Sequence, residues 1–135
     1  SRRVYAGDLI LSNSMSFGRP YILKTNGCIH DGWLVIQNYQ DNFDRGFLYY
    51  VLGSESILIQ YRAMASGSSV LNLNKEIVKN VLINCPESLD DQAEIANILS
   101  DIDDEITLLE ENLEKYKMLK QGMMQELLTG KTRLV

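Results

Sequence analysis

The chain has 135 residues, of which 45% are hydrophobic and 23% charged, and this composition is that of an ordinary soluble domain with an appendage. Its net charge of −5 argues against a uniformly basic nucleic-acid binder, and no apolar run approaches the roughly 18 residues of a membrane span. The two isolated cysteines and the lack of a signal-peptide core predict a reduced, cytoplasmic protein without a disulfide framework or a membrane partner.

The first 42 residues predict short strands that are separated by turns and polar loops. The predicted strands are residues 8–11, 21–23 and 33–36, and each follows a turn-forming glycine or proline. Before the third strand stands Asp31-Gly32, a pair typical of hairpin turns. The segments 12–19 and 37–42 are polar and rich in loop-forming residues.

From residue 43 the apolar pattern becomes helical. One short helix that ends near Gly53 is predicted from the spacing of Phe47, Tyr50 and Val51. A second helix of weaker period is predicted around Ile57, Ile59 and Tyr61. Beyond it we expect an exposed loop at 65–69, closing strands at 70–73 and 81–83, and a short helix near 75–78.

The last third of the chain predicts one long helix, residues 88–128, with apolar residues about every 3.5 positions. One heptad core position holds Ile95, Ile102, Leu109, Tyr116 and Met123, and the other holds Leu99, Ile106, Leu113 and Leu127, with Lys120 in the slot between. A strict heptad drifts around a straight helix unless two helices coil about each other. The pattern therefore predicts a helical partner, and these ten residues are the predicted pairing residues.

The ends of this helix are also visible in the sequence. Ser88 begins a capping box, and Gly130 stands where a helix can stop, so the rod would be about 60 Å long. Gln92 and Lys120 occupy core positions, where a polar residue costs stability but fixes register and partner number. The alternative is an amphipathic helix that packs on its own domain.

The negative charge belongs to the helix. Residues 1–87 carry eight Lys and Arg against seven Asp and Glu, whereas residues 88–135 carry five against eleven. The helix is therefore not expected to lie along phosphates. The nearly neutral first part can bind DNA only if its basic residues gather on one face.

The residues do not form a recognisable catalytic or metal-binding constellation. His30 is the only histidine, and Cys28, His30 and Asp31 are too crowded for a typical zinc site. We therefore expect a half-buried strand with an inward-facing Cys28. Asp41 and Asp44 flank a turn and are expected to be solvated or to cap a helix. The chain is predicted to be noncatalytic, without metal or cofactor.

Three polar loops carry side chains suited to DNA. Asn and Gln pair with adenine and Arg with guanine, while Ser and Tyr mostly bind phosphates. The candidate DNA-binding residues are Asn13, Ser14, Ser16, Arg19 and Tyr21 in or beside the first loop, Gln37, Asn38 and Gln40 in the second, and Arg62, Ser66, Ser68 and Ser69 at the third. For any one of them, a solvated loop residue is the alternative interpretation.

Two segments of the helix carry a family resemblance. Residues 86–96, Pro-Glu-Ser-Leu-Asp-Asp-Gln-Ala-Glu-Ile-Ala, with 98–103, resemble the conserved helix of type I restriction-modification specificity subunits, and so does 119–131. The family usually has Glu-Gln where this chain has Asp91-Gln92. Upstream, residues 7–12, Gly18-Arg19, Gly67 and the segment before Pro86 are similar to part of a target recognition domain.

The resemblance implies an α+β fold in three parts: a small mixed, strand-rich and partial target recognition domain at 1–87, a coiled-coil helix at 88–128 and a tail at 129–135. Such subunits carry two recognition domains that each read half of a bipartite double-stranded DNA site, and two antiparallel helices that set the spacing. Methyltransferase and restriction subunits join them, and S-adenosylmethionine, Mg and ATP are expected only in those partners. A homodimer would supply the second half by two-fold symmetry.

These observations favour a DNA-recognition half-subunit that dimerises through its helix. The alternative is a truncated assembly module that pairs with specificity or methyltransferase subunits without binding DNA. A third hypothesis, an enzyme that uses His30 and Asp31, has the least support.

Overall fold

The computed structural model describes residues 1–13, 16–67 and 72–130, and these form two compact units that divide between residues 97 and 98. The N-terminal unit contains β1 (Arg2–Val4), β2 (Leu9–Ser12), β3 (Pro20–Ile22), β4 (Gly27–Ile29), β5 (Trp33–Ile36), α1 (Arg45–Leu52), α2 (Glu55–Met64) and α3 (Lys75–Lys79). The helix α4 (Leu89–Leu128) begins in this unit and continues as the second. The predicted α+β class is confirmed.

All strands of the N-terminal unit pair antiparallel. One sheet has the order β3-β2-β5, with Leu9 opposite both Ile22 and Ile36, and a second sheet pairs β1 with β4. The four residues of β2 are buried, which makes this strand the centre of the sheet. The predictions for β2, β3 and β5 are confirmed to within one residue, whereas β1 and β4 were not predicted.

The core lies between one face of this sheet and the helices α1 and α2. The buried cluster comprises Leu9, Leu11, Leu48, Leu52, Ile57, Tyr61 and Leu73. Asp44 caps α1 by accepting a hydrogen bond from the Phe47 amide at 3.0 Å, and Gly53 follows its last turn, as the sequence predicts. The predicted second helix is also confirmed as α2.

The predicted closing strands are wrong where the structure describes them. Residues 81–83 form no strand, because the Gln60 side chain takes both backbone groups of Leu82: Nε2 donates to the carbonyl at 2.9 Å and Oε1 accepts from the amide at 2.8 Å. Residues 72 and 73 are also irregular, while 70 and 71 lie outside the described residues. The short helix is confirmed as α3.

The third polar loop is only partly exposed. Ala65, predicted to be exposed, is buried beneath the end of α2, because its amide continues the helical hydrogen bonding to the Tyr61 carbonyl at 2.9 Å. Ser66 and Gly67 are exposed.

The helix α4 has the predicted extent. The Ser88 hydroxyl accepts a hydrogen bond from the Asp91 amide at 3.3 Å, which confirms the capping role, and Gly130 has φ +76° just beyond the last turn. Among the described residues, no helix is long and apolar enough to cross a membrane.

The heptad position of Gln92 suggested that this residue belongs to a pairing surface, but in the structure it does not. It is fully buried in the N-terminal unit, where its Nε2 donates to the carbonyls of Asn42 (3.1 Å) and Pro86 (2.9 Å) and its Oε1 accepts from the Asp44 amide (2.9 Å). The heptad pattern missed this because it reads only positions within the helix, whereas Asn42 and Asp44 lie 50 and 48 residues earlier in the chain.

The apolar heptad residues beyond Gln92 are exposed in the single chain. Their exposed fractions lie between 37% and 67%, and they are Ile95, Leu99, Ile102, Ile106, Leu109, Leu113, Tyr116, Met123 and Leu127, which we call the heptad seam.

Candidate nucleic-acid interface

Asn13 holds the first predicted loop against its neighbours. Its side-chain Nδ2 donates to the Asp31 carbonyl at 2.8 Å, its amide donates to the Gly32 carbonyl at 3.1 Å, and its own carbonyl accepts from the Leu73 amide at 2.9 Å. The donor that would read an adenine is therefore engaged with backbone. The position of Asn13 supports a structural role more than base recognition.

Gly18 closes this loop. Its φ is +73°, and a Cβ atom here would lie 2.9 Å from the Tyr61 ring, so a larger residue would be both strained and crowded. The Gly18 amide donates to the Ser12 carbonyl at 2.9 Å, and the Arg19 amide donates to the Ser16 carbonyl at 2.8 Å. This tight turn leaves the side chains of Ser16 and Arg19 exposed at the start of β3.

Arg19, Tyr21 and Trp33 form a stack across the sheet. The Arg19 guanidinium lies 5.2 Å from the centre of the Tyr21 ring, and Tyr21 meets Trp33 edge-on with ring centres 5.6 Å apart. Tyr21 and Trp33 stand on β3 and β5, the two strands that flank β2. A guanidinium held over an aromatic ring keeps its N–H edge free, and this edge is the group that pairs with guanine or phosphate.

A groove of about 720 Å³ runs beside β5, which pairs with β2 on one side and is an edge of its sheet. The groove is lined by residues from β4, β5 and α3 and from the N-terminus, and we call it the β5 groove. Its side chains include the cations Arg2, Lys75 and Lys79, the carboxylate of Asp31, and Trp33. Trp33 thus belongs both to the groove and to the stack.

The second predicted loop begins at the end of this groove. Gln37 lines it, and its Oε1 accepts a hydrogen bond from Arg2 Nη2 at 2.9 Å. Asn38 adopts a left-handed conformation with φ +58°, which Asn tolerates better than most residues, and Asn38 and Gln40 are exposed.

The third predicted loop is not brought to this surface by any described contact. Arg62 forms an ion pair with Glu55 at 3.2 Å, and the Ser66 hydroxyl donates to the Ala63 carbonyl at 2.9 Å. Within residues 1–13, 16–67 and 72–130, neither side chain bonds to the other two loops. Ser14, Ser68 and Ser69 lie outside the described residues.

The residues considered for other chemistry are dispersed. Cys28 is exposed on β4, so the expectation of an inward cysteine is wrong, because this strand belongs to the small β1–β4 sheet. His30 is exposed, and its Nδ1 accepts from the Gly32 amide at 3.4 Å. Asp44 caps α1, as one of its two expected roles, while Asp41 is exposed.

Four residues of this surface were missed by the sequence argument: Arg2, Trp33, Lys75 and Lys79. The two lysines stand four positions apart, a spacing that places side chains on the same face of a helix. The sequence could therefore have predicted that they lie side by side. Arg2 and Trp33 join them only through the fold, because 40 residues or more separate each of them from α3 in the sequence.

Comparisons with known proteins agree on one family. A family model described as the type I restriction modification DNA specificity domain matches residues 3–117. The chain is 28% identical over 127 residues to the type I restriction enzyme MjaVIII specificity subunit of Methanocaldococcus jannaschii, covering 93% of this chain. The putative MjaX specificity subunit of the same organism is likewise 28% identical over 127 residues, covering 94%.

The chain spans 29% of the length of each of these two relatives. A solved structure concerned with complex assembly and conformational transition of the type I R-M system contains a chain with a similar fold. Its TM-score is 0.68 at 22% identity, and the match covers 93% of this chain and 31% of that chain.

Proposed function

This chain belongs to the type I restriction-modification DNA specificity domain family, and from that membership we propose that it reads one half of a bipartite DNA site and pairs through α4. The match of one specificity-domain model to residues 3–117 carries the proposal, since it spans the N-terminal unit and most of the helix. Because the chain spans 29% of its relatives, the second half-site would be read by a second copy or by another recognition domain.

The Arg19–Tyr21–Trp33 stack would read bases. Phosphate contacts position a protein on DNA, whereas base contacts specify the sequence. The Arg19 guanidinium is held over Tyr21 and bears no carboxylate partner among the described residues, while Arg62 is neutralised by Glu55. Of the predicted arginines, Arg19 is therefore the better candidate for a bidentate contact with guanine.

The chemistry of the system would reside in other subunits. We propose that this chain is noncatalytic and that methyltransferase and restriction subunits assemble with it, carrying S-adenosylmethionine, Mg and ATP themselves. The relatives support this, because they are specificity subunits.

The heptad seam would pair with a second copy of α4. Nine apolar side chains at heptad spacing stand exposed on one 40-residue helix, and a soluble protein seldom leaves such a stripe in water. A two-fold homodimer would bury the seam and bring two recognition units together.

The charges that flank the seam favour antiparallel pairing. In a parallel pair, Glu105 of each helix would face Glu110 of the other, giving two repulsive contacts. In the antiparallel pair that overlaps the whole seam, Asp103 of each helix would face Lys117 of the other, with one Glu110–Glu110 contact at the axis. The antiparallel pair thus has two attractive contacts and one repulsive contact, whereas the parallel pair has two repulsive contacts.

Selection of duplexes from a random-sequence pool tests the DNA-reading function. We expect the chain to enrich two inverted copies of one short motif at a fixed spacing. Arg19→Ala should weaken binding to the enriched duplex by about 1–3 kcal/mol and relax the preference at one base pair, because a bidentate guanine contact is lost. Arg62→Ala is the matched control and should keep the preference. Enrichment of no motif would contradict the proposal.

A second candidate is an assembly module that pairs by its helix without binding DNA, and the exposed seam alone favours it. The same selection separates the two functions. A chain that associates with a specificity or methyltransferase subunit but retains no duplex at low salt would be such a module.

A further inference from the structure

We propose that the β5 groove binds the phosphate backbone of duplex DNA, with Arg2, Lys75 and Lys79 as the phosphate ligands. This inference rests on the proposed DNA-reading function and adds to it: the contacts that hold the duplex come from a groove on the unit, not from the polar loops. The alternative use of the groove, by a protein partner, is an outcome of the test below.

The charge of the groove supports phosphate binding. The whole chain has a net charge of −5, yet the side chains around the groove include three Lys and Arg and one carboxylate, that of Asp31. The Arg62–Glu55 ion pair lies elsewhere, and no ion pair of Arg2, Lys75 or Lys79 is described. The three groove cations are therefore not neutralised by a carboxylate in contact, and an acidic chain concentrates free positive charge here.

Two of the groove cations stand on an anchored helix. The helix α3 presents Lys75 and Lys79 one turn apart on one face. Asn74 caps this helix by accepting from the Ile77 amide at 3.0 Å, and Ile77 and Val78 pack against the core. A short helix anchored at its start and on its apolar side fixes the backbone positions of its two lysines beside the groove, so no ordering of this backbone is needed on binding.

Arg2 is oriented by a neighbouring side chain of the groove. Its guanidinium donates to Gln37 Oε1 at 2.9 Å, a neutral acceptor that orients the group without cancelling its charge. The remaining N–H groups of the guanidinium stay available for a phosphate, since Arg carries five donors.

The β5 groove is continuous with the surface that would read bases. Trp33 lines the groove, and its ring also packs edge-on against the Tyr21 ring, over which the Arg19 guanidinium lies. A duplex whose backbone lies in the β5 groove would therefore have its base edges near the Arg19–Tyr21–Trp33 stack. Backbone positioning and base reading would then occur side by side, as recognition requires.

The test is the salt dependence of binding to a fluorescent duplex of random sequence. The full chain with Lys75→Gln and Lys79→Gln is compared with wild type and with a charge-matched control, Lys24→Gln and Lys115→Gln, both exposed lysines outside the groove. Each phosphate contact contributes roughly 0.9 to the slope of log K against log salt, so we expect the groove variant to lose about 2 from the slope. The control should keep the wild-type slope.

An unchanged slope in the groove variant, with wild type still binding, would overturn the groove assignment and leave the DNA-reading function standing. A wild-type chain that shows no salt-dependent binding would overturn the DNA-reading function itself, and the groove assignment with it. If circular dichroism shows that the double variant is unfolded, Arg2→Gln replaces it, with an expected loss of about 1 from the slope.

Discussion

Tyr61 places a hydroxyl group in the interior of the N-terminal unit. The residue is 0% exposed, and its ring packs edge-on against Phe17, with the ring centres 6.1 Å apart. The hydroxyl has no hydrogen-bond partner among the described residues. Burial disfavours the ionised phenolate and raises the pKa of Tyr61 from 10.0 to about 12. The folded unit therefore keeps Tyr61 protonated up to a pH of about 12.

This burial predicts a specific loss of stability in alkali. Below pH 10 both the folded and the unfolded states keep the Tyr61 proton, so its contribution to the free energy of unfolding is constant. Between pH 10 and about 12 the unfolded state releases the proton first, and by pH 11 the wild type should lose about 1 kcal/mol through this residue. Urea unfolding at pH 7 and pH 11 measures the loss.

Tyr61→Phe is the variant that tests this assignment. It should unfold at the same or a higher urea concentration than wild type at pH 7, because the deleted hydroxyl is buried without a described partner, and it should lose less stability at pH 11. Tyr5→Phe, at an exposed position of the N-terminal unit and outside the seam, is the control and should keep the full alkaline loss. An alkaline loss in Tyr61→Phe equal to that of wild type would show that another group is responsible.

At the scale of elements, local pattern predicted structure wherever each element supplies its own hydrogen bonds or its own apolar face. The helices α1, α2, α3 and α4 and the strands β2, β3 and β5 fall in this group. The strands β1 and β4 were missed because each has three residues and no apolar alternation, and they exist by pairing with each other. Residues 81–83 have the apolar content of a strand, but the partner of Leu82 is a side chain, that of Gln60.

The same distinction separates the parts of the candidate site. The heptad rule identified an apolar stripe from positions within one helix, and its pairing stays a prediction. It failed at Gln92, where the deciding groups lie on the loop before α1 and on the linker before α4. Loop composition selected Arg19 and Gln37 as candidate DNA-binding residues. Only the fold shows that the Asn13 side chain is hydrogen-bonded to backbone and that Lys75 lines the β5 groove together with Arg2.

Gln92 should therefore anchor the start of α4 to the N-terminal unit. Gln92→Ala removes the amide that satisfies the Asp44 N–H and two carbonyls, and leaving such buried groups unpaired costs about 1–3 kcal/mol. We expect the urea midpoint of the unit to fall accordingly. Gln121→Ala, at an exposed position of the same helix, is the control and should cause no loss. Equal stability of the two variants would contradict the anchoring role.

At the scale of the whole molecule, the two parts of the chain differ in net charge and in the kind of side chain that they expose. Residues 1–87 are nearly neutral and concentrate cations in one groove, whereas residues 88–135 are strongly acidic and expose an apolar seam. An acidic helix repels phosphates, and an exposed apolar seam is stabilised by burial against another apolar surface. The proposed division of labour follows from this difference: the N-terminal unit would contact DNA and the helix would contact a helix.

The pairing of the seam can be tested with two adjacent leucines. Leu109 and Leu108 are 61% and 60% exposed in the single chain, so burial within one copy does not distinguish them. Leu109 belongs to the seam, where the antiparallel pair places it opposite Leu113 of the second copy, while Leu108 points away from it. Leu109→Asp would bury a carboxylate twice in each dimer, at a cost of several kcal/mol, whereas Leu108→Asp leaves its carboxylate in water.

We therefore expect light scattering across a dilution series to give a dimer mass for wild type and for Leu108→Asp, and a monomer mass for Leu109→Asp. The comparison isolates position, because both variants add the same charge to the same helix one residue apart. If both variants dissociate, added charge and not seam geometry is responsible. If neither does, the seam is not the contact that joins two copies, and the recognition units would have to be paired by another subunit.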